Sequence, residues 1–172
     1  MNLFGWWKQT PREREKANAE SMIRRVLPTL TLPSLEVEPG LWSVVGDVKH
    51  KYRVVCYLWV EDAMVHCVAA SEIIVERGLL PRDLMLVVLE ENFFFPDGSF
   101  RLIPQNEDRI LGLARTVDSR YFRVEELGPL VMLLVDRMQR IVTKLYGLGL
   151  IIEGPDRQFQ HTRPSRYPYL LR

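Results

Sequence analysis

Residues 89–104 read LEENFFFPDGSFRLIP, and the fold turns on how this stretch is divided. Upstream, Leu84, Met85, Leu86, Val87, Val88 and Leu89 form an apolar run that leaves a helix no polar face at its middle. Pro81 suits the first helical position, and the helix is predicted to reach about Asn92. A helix of this kind is buried on all sides, by its own domain or by a second subunit. Downstream, Asp97-Gly98 supplies turn chemistry, and GSFRLIP alternates as a strand does. Phe93, Phe94 and Phe95 sit at the bend between the two. Consecutive aromatics cannot all face one way. The expectation is Phe93 and Phe95 beneath the sheet or the final helix, with Phe94 nearer the surface or an interface.

Working outward, TPRERE gives an N-cap at Thr10, a proline at the first helical position and Glu13 to close a capping box. Ala19, Met22, Ile23, Val26 and Leu27 follow as an apolar stripe, and Pro28 stops the helix. PTLTLPSLEVEPG reads as a proline-punctuated, extended connection. A meander comes next: a strand from Leu41 to Val48, then YRVVCYLWV and AMVHCVAA around the turn Glu61-Asp62. A tight turn there sets Val60 opposite Ala63, Cys56 opposite Cys67 and Tyr57 opposite His66. Alternation puts Val54, Cys56, Leu58, Val60, Val65, Cys67 and Ala69 on one face. Val55, Tyr57, Trp59, Met64, His66 and Val68 take the other, which is amphipathic and suited to a half-wet surface or a partner.

After the opening stretch, RILGLARTV is a further strand, reached through a turn at Asn106-Glu107-Asp108. VEELGPLVMLLVDRMQRIVTKLYG is the longest helical segment, with Leu127, Val131, Leu134, Met138, Ile141, Val142 and Leu145 in one stripe. Leu130 and Leu133 widen that stripe. Gly128-Pro129 marks a kink or the true start, and Gly147 and Gly149 an end. The reading is an α+β domain over residues 11–150, in the order α-βββ-α-ββ-α. One antiparallel five-stranded sheet carries its helices mainly on one face. An aromatic segment, residues 1–10, precedes it, and a basic aromatic tail, residues 151–172, follows.

The chain has 172 residues and is 47% hydrophobic, enough for a core without staples. Lys+Arg 23 against Asp+Glu 22 argues against a whole-protein electrostatic role on nucleic acid or membrane. No apolar run approaches the ~18 residues of a membrane span, and the N-terminus lacks signal-peptide features, so a cytoplasmic protein is expected. Cys56 and Cys67, with His50 and His66 near, do not give the four convergent ligands of a zinc site, because His66 points away from Cys67. They read as small buried hydrophobes. His50, His66 and His161 lie in no nucleophile signature, and the paired carboxylates Glu90-Glu91 and Glu125-Glu126 diverge on their helices. No catalytic residue, metal site or cofactor is assigned, and an enzyme is the weaker class. Arg157, Arg163, Arg166 and Arg172, interleaved with tyrosines, offer nucleic acid contact as an alternative to a domain-wrapping terminus.

The element order, the Asn92-Phe93 helix end and the Gly98, Phe100 and Leu102 alternation resemble the class I type III secretion chaperone-like fold and the related YbjN-like domains. YRVVCYLWVEDAMVHCVAA is similar to the central hairpin of that family. The resemblance implies a non-enzymatic, often homodimeric domain that holds protein segments on apolar patches, with no catalytic residues. The expected partner surface is Val55, Tyr57, Trp59, Met64 and His66, with Trp6 and Trp7. The expected dimer surface is Leu84, Met85, Val87, Val88, Leu130 and Leu133.

Overall fold

A computed structural model describes residues 10–46, 52–75, 82–95, 98–105 and 108–151. The elements are α1 (Pro11–Val26), a 3-10 turn (Leu27–Thr29), β1 (Ser34–Glu38), β2 (Leu41–Val45), β3 (Val54–Glu61), β4 (Met64–Val75), α2 (Arg82–Phe94), β5 (Ser99–Gln105), β6 (Asp108–Asp118) and α3 (Val124–Gly147). Trp6, Trp7, His50, Pro81, Asp97, the tip at 106–107 and the arginine tail lie outside the described residues.

The first helix is built as its sequence dictates. The Thr10 hydroxyl accepts from the Glu13 N–H at 3.3 Å, and Glu13 Oε2 accepts from the Thr10 N–H at 2.7 Å. Ala19, Met22, Ile23 and Val26 are buried along one face. Pro28 turns the chain into a 3-10 step at Leu27–Thr29.

The sheet has six strands, in the order β1-β2-β3-β4-β6-β5, all antiparallel. The added strand is β1. Its residues, SLEVE, form the second half of the segment read as a connection. The prolines at 33 and 39 bracket it and do not interrupt it, and Gly40, with φ +81, makes the turn into β2.

The β3–β4 hairpin turns one residue later than the sequence predicts. Glu61 pairs with Met64, so Asp62-Ala63 is the turn, and Asp62 takes φ 52. Aspartate tolerates this left-handed conformation better than most residues. The register therefore moves by two: Leu58 faces Cys67, Trp59 faces His66 and Cys56 faces Ala69. The expected Cys56–Cys67 and Tyr57–His66 pairs are diagonal neighbours instead. A shift of two preserves every side chain's face, so the division of the hairpin into two faces stands.

The three described helices pack on one side. Val54, Cys56, Leu58, Val60, Val65, Cys67, Ala69, Leu111 and Leu113 join the helix residues in one core. From α3 this core takes Leu127, Val131, Leu134, Met138, Ile141, Val142 and Leu145, the whole predicted stripe. The helix begins at Val124, ahead of Gly128-Pro129, and runs through the proline. Pro129 is exposed, so the one hydrogen bond it forgoes falls on the solvent side. Gly128 is buried where α3 meets Val26 and Leu30.

The opening stretch is the joint between helix layer and sheet edge. The Phe100 N–H donates to Asn92 Oδ1 at 2.6 Å, and Asn92 Nδ2 donates to the Phe100 carbonyl at 3.4 Å. One side chain thus substitutes for a seventh strand at Phe100. Two residues apart on β5, backbone groups point the same way. Leu102 therefore faces the same open edge, and so does residue 104, a proline with no N–H to offer. Gly98 lies close to the sheet, where a Cβ would stand 2.8 Å from the Phe95 ring and 3.2 Å from the Ala114 carbonyl oxygen. Lys144 Nζ, 2.8 Å from Glu91 Oε1 and 3.3 Å from Glu90 Oε2, ties α2 to α3.

Of the three phenylalanines, only Phe95 is buried, with the Arg137 guanidinium 5.1 Å from its ring centre. Phe93 is the most exposed, at 82%, and Phe94 is exposed at 65%, which corrects the expected inward Phe93. Asn92 explains this: with its amide turned to Phe100, the next helical residue is rotated outward. Replacing Asn92 with alanine leaves two part-buried backbone groups of Phe100 unpaired. We predict that Asn92→Ala lowers unfolding free energy by about 2 kcal/mol in urea titrations. A change below about 0.5 kcal/mol contradicts the role given to this side chain.

Candidate functional site: the helix-free face of the sheet

The strand residues pointing away from the helices form the second face. Val68, Ala70 and Ile103 make a small separate cluster on it, with Trp59, Ile110 and Ala114 packed around them. No described helix contributes to this cluster. The predicted surface residues Val55, Tyr57, Trp59, Met64 and His66 all lie on this face. Val55 and His66 are buried there, and Tyr57, Trp59 and Met64 are half-buried. Where no described helix lies over a sheet face, neighbouring large side chains cover the backbone.

His66 is the polar centre of this face. It is 4% exposed. Its ring stacks on Trp59, with centroids 5.0 Å apart and planes at 14°. Nδ1 lies 3.0 Å from Thr116 Oγ1. Nε2 has no hydrogen-bond partner, and Glu61 Oε2 stands 3.8 Å from it. The nearby carboxylate favours the tautomer with its proton on Nε2, and the Thr116 hydroxyl then donates to Nδ1. Burial pulls the imidazole below its ordinary range, and the Glu61 charge offsets this in part.

Beside this pair, Trp59, His66, Val68, Arg101, Ile103, Ala114 and Thr116 line a shallow slot. Gly112 makes room for it. A Cβ at 112 would collide with Ile103 Cδ1, so only glycine lets Ile103 lie across β6. Arg101, Ile103, Ala114 and Thr116 are contributions that sequence reasoning missed. Alternation in SFRLI and GLARTV sorts their faces, but nothing local shows that β6 lies between β4 and β5.

Cys56 and Cys67 lie on the core side, both fully buried and free. Burial raises both thiols, Cys67 to about 12. Among the described residues no group of three or more His, Cys, Asp or Glu is placed to hold a metal ion. No described helix is long and apolar enough to cross a membrane.

Of the residues assigned to a dimer surface, Leu84 and Val87 are in the monomer core, and Val88 and Leu130 are half-buried. Met85 and Leu133 are exposed. The open side of α2 carries Met85, Leu86, Leu89 and Phe93, which helical spacing sets in one stripe. Of the two coverings expected for this helix, its own domain or a second subunit, the described residues of the chain supply the first on the Leu84 and Val87 side alone.

No family model and no curated protein matches the chain. Solved structures do. The chain is similar to one in the ExsC–ExsE complex, with a TM-score of 0.51 at 15% identity, over 73% of this chain and 93% of that one. A chain in the HopA1–SchA chaperone–effector complex matches with a TM-score of 0.45 at 8% identity, over 72% of this chain and 94% of that one.

Titration of His66 is the property of this face most open to test. Its folded-state pKa lies below the ordinary 6.5, so its contribution to stability is complete above that pH. The contribution is lost as pH falls through the folded value. Urea titrations at about pH 7.5 and about pH 5 are expected to show a smaller drop for His66→Gln than for the parent. Equal drops contradict a buried, neutral imidazole. By its match over 93% of that chain, the protein shares the fold of the similar chain in the ExsC–ExsE complex.

Proposed function

We propose that this protein is a non-enzymatic, cytoplasmic protein-binding module that holds an extended segment of a partner protein on the helix-free face. The observation that carries this reading is the one-sided architecture. The three described helices cover one face of the sheet, and the other presents Tyr57, Trp59 and Met64 half-buried, with Trp59 lining a slot. Aromatic side chains with one face open are the usual anchors of protein recognition. The ExsC–ExsE match supports the fold on which the reading rests.

The second element of the reading is a homodimer formed through α2. Met85, Leu86, Leu89, Phe93 and Phe94 are 43%, 53%, 57%, 82% and 65% exposed. A continuous apolar stripe of this kind is costly to leave in water. A two-fold axis beside α2 covers it with a copy of itself. Leu133, on α3, belongs to the same surface in this reading.

Two measurements test these statements separately. Amide hydrogen exchange with a panel of short extended peptides, alternating apolar and polar residues, is expected to slow exchange on β3, β4 and β6. Peptide binding with unchanged exchange on those strands rules out this face. Sedimentation is expected to give a dimer for the parent chain and a monomer for Leu89→Glu. A monomeric parent, or a Leu89→Glu chain that stays dimeric, contradicts the α2 interface.

A further inference from the structure

The slot carries an inference about which segments the face accepts, and it rests on the reading that the face holds an extended protein segment. Its floor is low because Val68 and Ala114 are small and Ile103 leans over Gly112. Trp59 makes one wall. His66 and Thr116 close one end, already bonded to each other. On the opposite side stands Arg101. It is exposed, and its Nε donates to Ser99 Oγ at 2.9 Å. Among the described residues this is the sole partner of its side chain, and the terminal amino groups of the guanidinium are unpaired.

Beside the slot, charge is polarised. Glu61 and Asp118 lie at its hairpin-turn end, where Glu61 pairs with Met64 and Met64 with Asp118. Asp118 is occupied by Arg120, at 2.6 Å. Arg101 pairs with Gly112, four residues before Thr116 on β6, and so marks the other end. An extended segment crossing the slot places residues i and i+2 on the same side, about 7 Å apart.

We propose that the slot is a selectivity subsite for an apolar–any–acidic triplet in the bound segment. A valine-sized side chain rests on Val68 and Ala114 against Trp59. The carboxylate of the residue two positions along pairs with the terminal amino groups of Arg101. Guanidinium and carboxylate match in shape and charge. Glu61 at the far end repels the reversed placement, so the slot also sets the segment's direction. A nucleic acid backbone fits less well, because beside the slot it meets the Glu61 carboxylate as well as Arg101.

The test is a charge swap read by fluorescence anisotropy at low salt. The probes are fluorescein-labelled short peptides of alternating apolar and polar residues, centred on Val-Thr-Glu, Val-Thr-Gln or Val-Thr-Lys, and a mixed-sequence single-stranded oligonucleotide. The parent protein is expected to bind the Glu peptide about fivefold more tightly than the Lys peptide, and Arg101→Glu to reverse that order. Ala114→Leu, which fills the floor, is expected to weaken all three peptides alike while leaving the melting temperature near that of the parent. Peptide binding that is blind to the charge, or an order that survives Arg101→Glu, overturns the subsite and leaves the wider reading standing. Oligonucleotide binding that depends on Arg101 overturns the acidic occupant. If no peptide binds and none slows exchange on β3, β4 or β6, the wider reading fails, and the subsite with it.

Discussion

The one-sided placement of the helices is the constraint on which the rest of this structure depends. A sheet whose two faces are both covered by helices can be aliphatic throughout. Here α1 and α3 lie against β3 and β4, and α2 lies against β5, all in one core on the same side of the sheet, so the strands must alternate. On the opposite face no described helix covers the strands, and their own side chains shield the backbone. They do so with a Trp59–His66 stack, an Ile103 that folds across Gly112, and small residues between them. What that self-covering leaves is a shallow slot with an arginine at its rim, and function is argued from this remainder.

Asn92 is where the two layers are joined. Its amide takes both backbone groups of Phe100, fixing the end of α2 to the edge of the sheet. The helix is thereby held with Leu84 and Val87 inward and with Met85, Leu86, Leu89 and Phe93 outward. Its double-sided apolar character sets two demands for burial. One is met within the chain, and the proposed dimer answers the other.

Much of this architecture was legible in the residues. The Thr10 capping box, the α1 and α3 stripes and the two faces of the central hairpin appear where their spacing placed them. The faces survived even though the turn slipped from Glu61-Asp62 to Asp62-Ala63, because that slip moves the register by two. Other features depend on contacts distant in sequence. The β1 strand exists because β2 pairs with it, and its flanking prolines read locally as a connection. That β6 lies between β4 and β5 is a crossover no local pattern encodes, and Arg101 and Thr116 went unassigned for that reason. The fate of Phe93 turned on a side-chain hydrogen bond from its neighbour, which hydrophobic periodicity does not register.

The central claim is that a protein segment docks on the helix-free face. Fluorine NMR of protein labelled with fluorotryptophan tests it most directly, because the two assigned indoles report from opposite sides of the sheet. Trp59 lies on the face in question, and Trp42 is buried in the core under the helices. On addition of a bound peptide, the Trp59 resonance is expected to shift while that of Trp42 stays in place. A peptide that binds and leaves Trp59 unmoved contradicts the account.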